Sequence, residues 1–184
     1  RIAEAEAVLS RAVEQAPDEA WLRRSLALVL LARQDAAGAE PQLRQALALA
    51  PDDAEVHETL GALLSQSGRP VEAAQHHLAA LPGLKDKPRC LSNLAIALQM
   101  QARHAETEQC YRHALKLRPD YPSGHSNLLF ALNYRDDLSP EAIFAEYQNW
   151  DAQHARPLAP VLPRFALDRT PERRLRLGYV SPDF

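Results

Sequence analysis

The chain has 184 residues, 46% of them apolar and 6% aromatic, with six glycines and a formal net charge of −3. This balance suits helices and gives no broad attraction to phosphates, which argues against nucleic acid as the main partner. No stretch approaches the roughly 18–20 apolar residues of a membrane span, and Cys90 and Cys110 are too few and too scattered for a disulfide framework, so free thiols in a reducing cytoplasm are expected.

Residue types return every 34 positions. Leu26, Leu60, Leu94 and Leu128 form one ladder, Leu30, Leu64, Leu98 and Leu132 a second, and Ala12, Ala46, Ala80 and Ala114 a third, punctuated by Pro17, Pro51 and Pro119. A period of 34 with this spacing is the tetratricopeptide arrangement, in which helix–turn–helix units stack into a superhelix. The expected fold is therefore an all-α superhelix over residues 1–134: a half repeat, three full repeats, and the first helix of a fourth.

Residues 1–17 read as an isolated second (B) helix, because Ala5, Leu9, Ala12 and Pro17 hold the B-helix register. Further repeats upstream are expected, and so is exposed apolar surface, because end units normally carry a polar cap. The full repeats begin at Ala20, Ala54 and Pro88, and the fourth at Pro122. Ala39, Ala73 and Thr107 give the B helices a second small position, and Gly68 supplies a permissive turn between helices A and B. Pro41 should delay or kink the B helix of repeat one. Leu81, Pro82 and Gly83 should end the B helix of repeat two early, and a looser joint between repeats two and three follows.

The A helices of such a superhelix line its concave groove. Their sixth position holds Ser25, Thr59, Asn93 and Asn127, four hydrogen-bonding side chains suited to the backbone of an extended peptide. Ile96, Gln99, Met100, Phe130, Asn133 and Tyr134 form a mixed apolar and amide wall beside them. A carboxylate clamp is not expected: of its positions, Arg24, Leu28, Thr59, Arg89 and Asn93, two lack the amide such clamps carry. The seven histidines show no ligand spacing, so no metal is expected; His77 and His125 are read as packing residues.

The pattern changes after Tyr134. Ser139, Pro140 and Glu141 are a strong helix start, and Ile143, Phe144, Tyr147 and Trp150 form an apolar stripe. Residues 135–156 are thus a terminal helix covering the last repeat. Residues 157–172, with four prolines, are an extended linker, and the alternation in residues 173–184 predicts a strand.

HSNLLFALNY at 125–134, EAIFAEYQNWDAQHARPLAP at 141–160 and LRLGYVSPDF at 175–184 resemble bacterial O-linked N-acetylglucosamine transferases and the related SPINDLY-like proteins of glycosyltransferase family 41. The resemblance implies that the strand at 173–184 opens a Rossmann-like catalytic lobe, of which Gly178, Tyr179, Val180, Ser181 and Phe184 match the first turn. It also implies that Asn93 and Asn127 belong to an inner asparagine ladder that Ser25 and Thr59 depart from. The parent would be a protein Ser/Thr O-glycosyltransferase using UDP-N-acetylglucosamine (UDP-GlcNAc), or GDP-fucose if SPINDLY-like. No catalytic, cofactor or metal residue of that family falls in these residues, which are expected to be inert alone and to bind extended segments of acceptor proteins. A non-enzymatic scaffold is the alternative, and self-association is left open.

Overall fold

A computed structural model describes residues 1–161. Nine α-helices follow in order: α1 (Ile2–Gln15), α2 (Ala20–Ala32), α3 (Ala36–Leu49), α4 (Ala54–Gln66), α5 (Pro70–Ala80), α6 (Lys87–Gln99), α7 (His104–Leu117), α8 (Pro122–Leu132) and α9 (Pro140–Trp150). Among the described residues there is no strand; the strand expected over 173–184 and most of the linker expected over 157–172 lie outside them.

The sequence ladders are the core. Leu60, Leu64, Leu94, Leu98, Leu128 and Leu132 are each 4% exposed or less, and Ala46, Ala80, Ala114, Ala39, Ala73 and Thr107 are all fully buried. Each leucine contributes about 1.5–3 kcal/mol by leaving water, and the alanines bring neighbouring helices close enough for that burial to occur. Even-numbered helices α2 to α8 are the A helices and α1 to α7 the B helices. Direct contact runs from α4 to α6 and from α6 to α8, while the B helices make no comparable contact with one another. The A helices therefore lie inside the curve. Ile2 and Val8 on α1 are exposed.

The A-to-B turn is the same in all three full repeats. Gln34, Gly68 and Ala102, spaced 34 apart, have φ of 64°, 72° and 56°. The next residue's N–H reaches back to Leu30, Leu64 or Leu98 O at 2.9, 2.9 and 3.0 Å. This is the Schellman closure, which satisfies helix-end carbonyls through one left-handed residue. Only one of the three positions is glycine.

Pro41 does not delay α3. The helix begins at Ala36 because the Asp35 carboxylate caps Gly38 N at 2.8 Å, and Pro41 sits inside it. Helix α5 does end early, at Ala80. The looser joint expected there is absent, however: α5 packs on α6 at least as extensively as α3 on α4. Cys90, fully buried, donates Sγ–H to His77 O at 3.4 Å across this joint, and Asp86 caps α6 while accepting from Arg118 at 2.7 Å.

Ser139 caps α9 as expected, accepting from Ala142 N at 3.2 Å. The helical path runs on as a π turn (Asp151–Ala155) and then a 3₁₀ turn (Arg156–Val161). Residues 157–161 are therefore wound rather than extended; the φ that proline fixes near −65° fits a 3₁₀ turn as well as an extended chain. The terminal helix covers the last repeat along one edge only. Ile143 packs against the Leu128–Leu132 core, whereas Phe144 is 62% exposed.

Candidate functional site

Between successive A helices, over the B helix beneath them, the fold leaves a cavity. In repeat two it is lined by Ala62, Ser65 and Gln66 of α4, His77 of α5, and Asn93 and Ile96 of α6. Adding 34 to each number gives Ile96, Gln99, Met100, Tyr111, Asn127 and Phe130, which line a second cavity together with His104 and Tyr134. The repeat thus builds one site twice. The first has a volume of about 160 Å³ and the second about 440 Å³. In repeat one the corresponding slot residue is Leu43, which is fully buried.

The two sites differ in chemistry. His77 is 0% exposed, and neither ring nitrogen has a protein partner; Ser65 Oγ is likewise buried and unpaired. Burial pushes His77 down to about 4, with His76 adding a smaller effect in the same direction, so the ring is neutral at pH 7. In the second site Tyr111 takes the slot, and burial pushes its phenol up to about 12. Ile96, Met100, Phe130 and Tyr134 are 40%, 51%, 57% and 51% exposed around it. His104 stacks on Tyr134 with ring centroids 5.6 Å apart, and Phe130 meets Tyr134 edge-on at 5.3 Å.

The six residues expected to contact peptide are placed differently from one another. Asn93 is half-buried where the smaller cavity meets the adjoining groove over α4, and its amide has no intrachain partner among the described residues. Asn127 is exposed at the mouth of the larger one, beside the Tyr111 phenol, and Gln99 lines the same cavity. Ser25 and Thr59 instead turn their hydroxyls back to their own helix, donating to Trp21 O and Glu55 O, each at 2.8 Å. Asn133 is also withdrawn: Nδ2 donates to Leu129 O at 2.8 Å and to Tyr147 Oη at 3.1 Å, tying α8 to α9. Of the expected wall residues, Ile96, Gln99, Met100, Phe130 and Tyr134 do line one cavity, and the wall gains Tyr111 and His104. His104 gave no sequence signal. Tyr111 falls 34 residues after His77, in the same packing position.

Two arginines of the A helices are paired with carboxylates. Arg24 Nη1 meets Glu55 at 2.6 Å and Asp53 at 3.5 Å, and Arg89 Nη2 meets Glu58 at 3.0 Å. Both arginines at the clamp positions therefore already have carboxylate partners. Glu58 is 7% exposed, and burial raises its carboxyl above the usual range despite Arg89.

Two histidine pairs lie away from the cavities: His57 Nδ1 to His76 Nδ1 at 2.8 Å, and His125 Nδ1 to His154 Nε2 at 3.1 Å. Among the described residues no cluster of three or more His, Cys, Asp or Glu could hold a metal, and no helix is long and apolar enough to cross a membrane. Cys90 and Cys110 are free, and burial pushes their thiols up to about 12 and about 11.

Tetratricopeptide-repeat family models match residues 1–63 and 89–118. A sequence comparison with curated proteins finds no match. Among solved structures, MamA from Desulfovibrio magneticus is 16% identical, with a TM-score of 0.76 over 83% of this chain and 85% of that one. PilF of Pseudomonas aeruginosa is 22% identical, with a TM-score of 0.72 over 83% of this chain and 67% of that one. A mutant Thermobaculum terrenum O-GlcNAc transferase is 27% identical, with a TM-score of 0.64; 83% of this chain matches but only 28% of the transferase chain does. The first two likenesses speak to fold alone. From repeat models, helix order and neighbours together, the chain is a tetratricopeptide-repeat protein with the superhelical fold of protein-interaction scaffolds.

Proposed function

We propose that the inner groove binds extended segments of partner proteins, and that the chain is the substrate-recognition arm of a protein O-glycosyltransferase. The observation that carries peptide binding is the pair Asn93 and Asn127. They are repeat-equivalent amides at the mouths of two repeat-equivalent cavities, and among the described residues no side chain or backbone group pairs with the Asn93 amide. The transferase part draws on the resemblance at 125–184 and on the 27% identity to the transferase neighbour. In that reading the parent moves a sugar from UDP-GlcNAc to Ser or Thr hydroxyls of acceptor proteins, with GDP-fucose the alternative donor. The groove contributes by holding the acceptor in place, which lowers the entropic part of the barrier.

The test is to express the gene product that contains this chain, read to its stop codon, with labelled UDP-GlcNAc and GDP-fucose and a protein extract. Label appearing on protein supports the transferase and names its donor. Peptide binding without transfer of either label leaves a non-enzymatic scaffold. Residues 1–184 alone should transfer nothing and should show no change in Tm with either nucleotide sugar.

A further inference from the structure

We propose that the His125–His154 pair is a proton-released latch: near neutral pH it holds the terminal segment, residues 140–161, on the last repeat, and in mild acid it lets that segment go.

The segment is held thinly. No residue of α9 or of the π turn after it is buried, and α9 packs on α8 less extensively than α7 does. Ile143 reaches the Leu128–Leu132 core, and the other ties are polar. Glu146 accepts from Arg112 at 2.9 Å, and Tyr147 Oη accepts from Asn133 at 3.1 Å. Gln153 donates to Pro119 O at 2.7 Å and Trp150 to Pro122 O at 3.5 Å. His154 Nε2 lies 3.1 Å from Nδ1 of His125, which is 5% exposed on α8. Of these ties, the histidine pair is the one whose charge changes just below neutral pH.

One proton can be shared across the pair, since one nitrogen then donates and the other accepts. A second proton leaves two cationic donors facing each other. The surroundings do not absorb that charge. Arg112 and Lys116 of α7 line the cleft beside His125. Glu146 of α9 lines it too but is committed to Arg112, and Asp151 of the π turn pairs with Arg156 at 2.8 Å. Burial chiefly, then the His154 ring, hold His125 below the ordinary histidine range; Arg112 adds to this and Glu146 opposes it. Once undocked, both rings titrate near the ordinary value of about 6.5, so the undocked state binds more protons in acid. One refused proton lowers the docking constant about tenfold between pH 7.5 and pH 5.5.

Position makes this pair a latch. His57, in the same A-helix register two repeats earlier, meets His76 inside repeat two, where α4 and α5 pack far more extensively than α8 and α9. Similar chemistry there has no thin joint to open. Residues 140–161 carry the chain out of the array, so release changes how the array is joined to the rest of the chain.

The test is hydrogen exchange of the whole chain at pH 7.5 and pH 5.5, corrected for intrinsic rates, with α6 as the internal reference. Protection of residues 140–156 should fall about tenfold or more in acid while that of α6 holds. His125→Leu copies Leu91, which is buried at the same position one repeat earlier, and should remove the acid-induced loss. A variant that merely loosened α9 would lower protection equally at both pH values. Lys116→Glu, at an exposed position, places an anion in the cleft without touching the packing and should shrink the loss. Equal protection of residues 140–156 at both pH values in the parent would overturn the latch. So would an equal loss in α6, a loss that persists in His125→Leu, or one that Lys116→Glu leaves undiminished.

Discussion

Repeats two and three share a backbone, a leucine ladder and a turn, yet the cavities they enclose differ in size and in the residues that line them. Leu60 and Leu94, Leu64 and Leu98, and Ala80 and Ala114 are interchangeable in burial. The divergence lies in a few positions of one register: Gly61, Ala62, Ser65, Gln66 and His77 against Ala95, Ile96, Gln99, Met100 and Tyr111. Repeat one, with Leu43 in the slot, completes the series. The ladder specifies where the helices go, and the slot residue of the B helix, Leu43, His77 or Tyr111, sets what packs beneath the space between A helices. Fold and groove lining are therefore written in different positions of the same 34 residues.

The largest expected difference between the two repeats is in acid. His77 is held near 4 by burial, whereas an unfolded histidine titrates near 6.5. Between those values the unfolded chain takes a proton that the native chain refuses, so native stability falls as pH drops through that window and levels off below it. The loss is about 3 kcal/mol by pH 4, and about 2 kcal/mol is already gone at pH 5, above the range where most carboxylates titrate. His76 and His125, both lowered chiefly by burial, act in the same direction, while the raised Glu58 acts oppositely. The informative quantity is thus a difference. His77→Phe, which makes the slot of repeat two resemble that of repeat three, should flatten urea-derived stability between pH 7 and pH 5 relative to the parent. An unchanged slope would mean that the imidazole is solvated, and the contrast between the two cavities would collapse.

A smaller effect comes from the floor of the slot. A Cβ on Gly61 would meet three atoms of the His77 ring at 2.8–3.0 Å, and that ring is fully enclosed, so it cannot swing clear. Repeat three carries Ala95 at this position beneath Tyr111, and repeat one carries Ala27 beneath Leu43. Gly61→Ala should cost about 1–3 kcal/mol by overpacking. In a His77→Leu background, which reproduces the pairing of repeat one, the cost should shrink. A double-mutant cycle on thermal or urea unfolding reads the coupling; additive effects would show that Gly61 and His77 are not matched.

How much of this was legible in the sequence follows the same division. The ladders, the slot role of His77, the early end of α5 and the Ser139 cap could be read because each repeats at a fixed period or follows local capping chemistry. The fate of a hydroxyl was not readable: Ser25 and Thr59 occupy the right face, but a carbonyl one turn back is always within reach and captures them. Asn133 was lost to its own helix end for a related reason, the orphan carbonyls of α8. Pro41 does not delay α3 because the Asp35 cap fixes the helix start at Ala36, five residues before it. The cavities were missed because they are voids between three helices. The signal for them was nevertheless present, in the chemical mismatch between residues 34 positions apart.

The smallest effect isolates the turn from everything else. Gly68 and Ala102 hold the same left-handed position and support the same pair of bonds: Gly68 N to Ser65 O at 3.2 Å and Arg69 N to Leu64 O at 2.9 Å, against Ala102 N to Gln99 O at 2.9 Å and Arg103 N to Leu98 O at 3.0 Å. An L-residue in that region carries a steric penalty that glycine avoids, so Ala102→Gly should stabilise the chain by about 1 kcal/mol even though glycine is the more flexible residue when unfolded. Gly68→Ala should cost a similar amount. No atom lies within 4 Å of a Cβ built on Gly68, so that substitution tests backbone conformation and nothing else. Equal and opposite shifts in urea midpoint at unchanged m-value would show that the turn is one device used in each repeat. Unequal shifts would mean that Ala102 is held by its surroundings in repeat three, and that the two repeats differ in their turns as well as in their cavities.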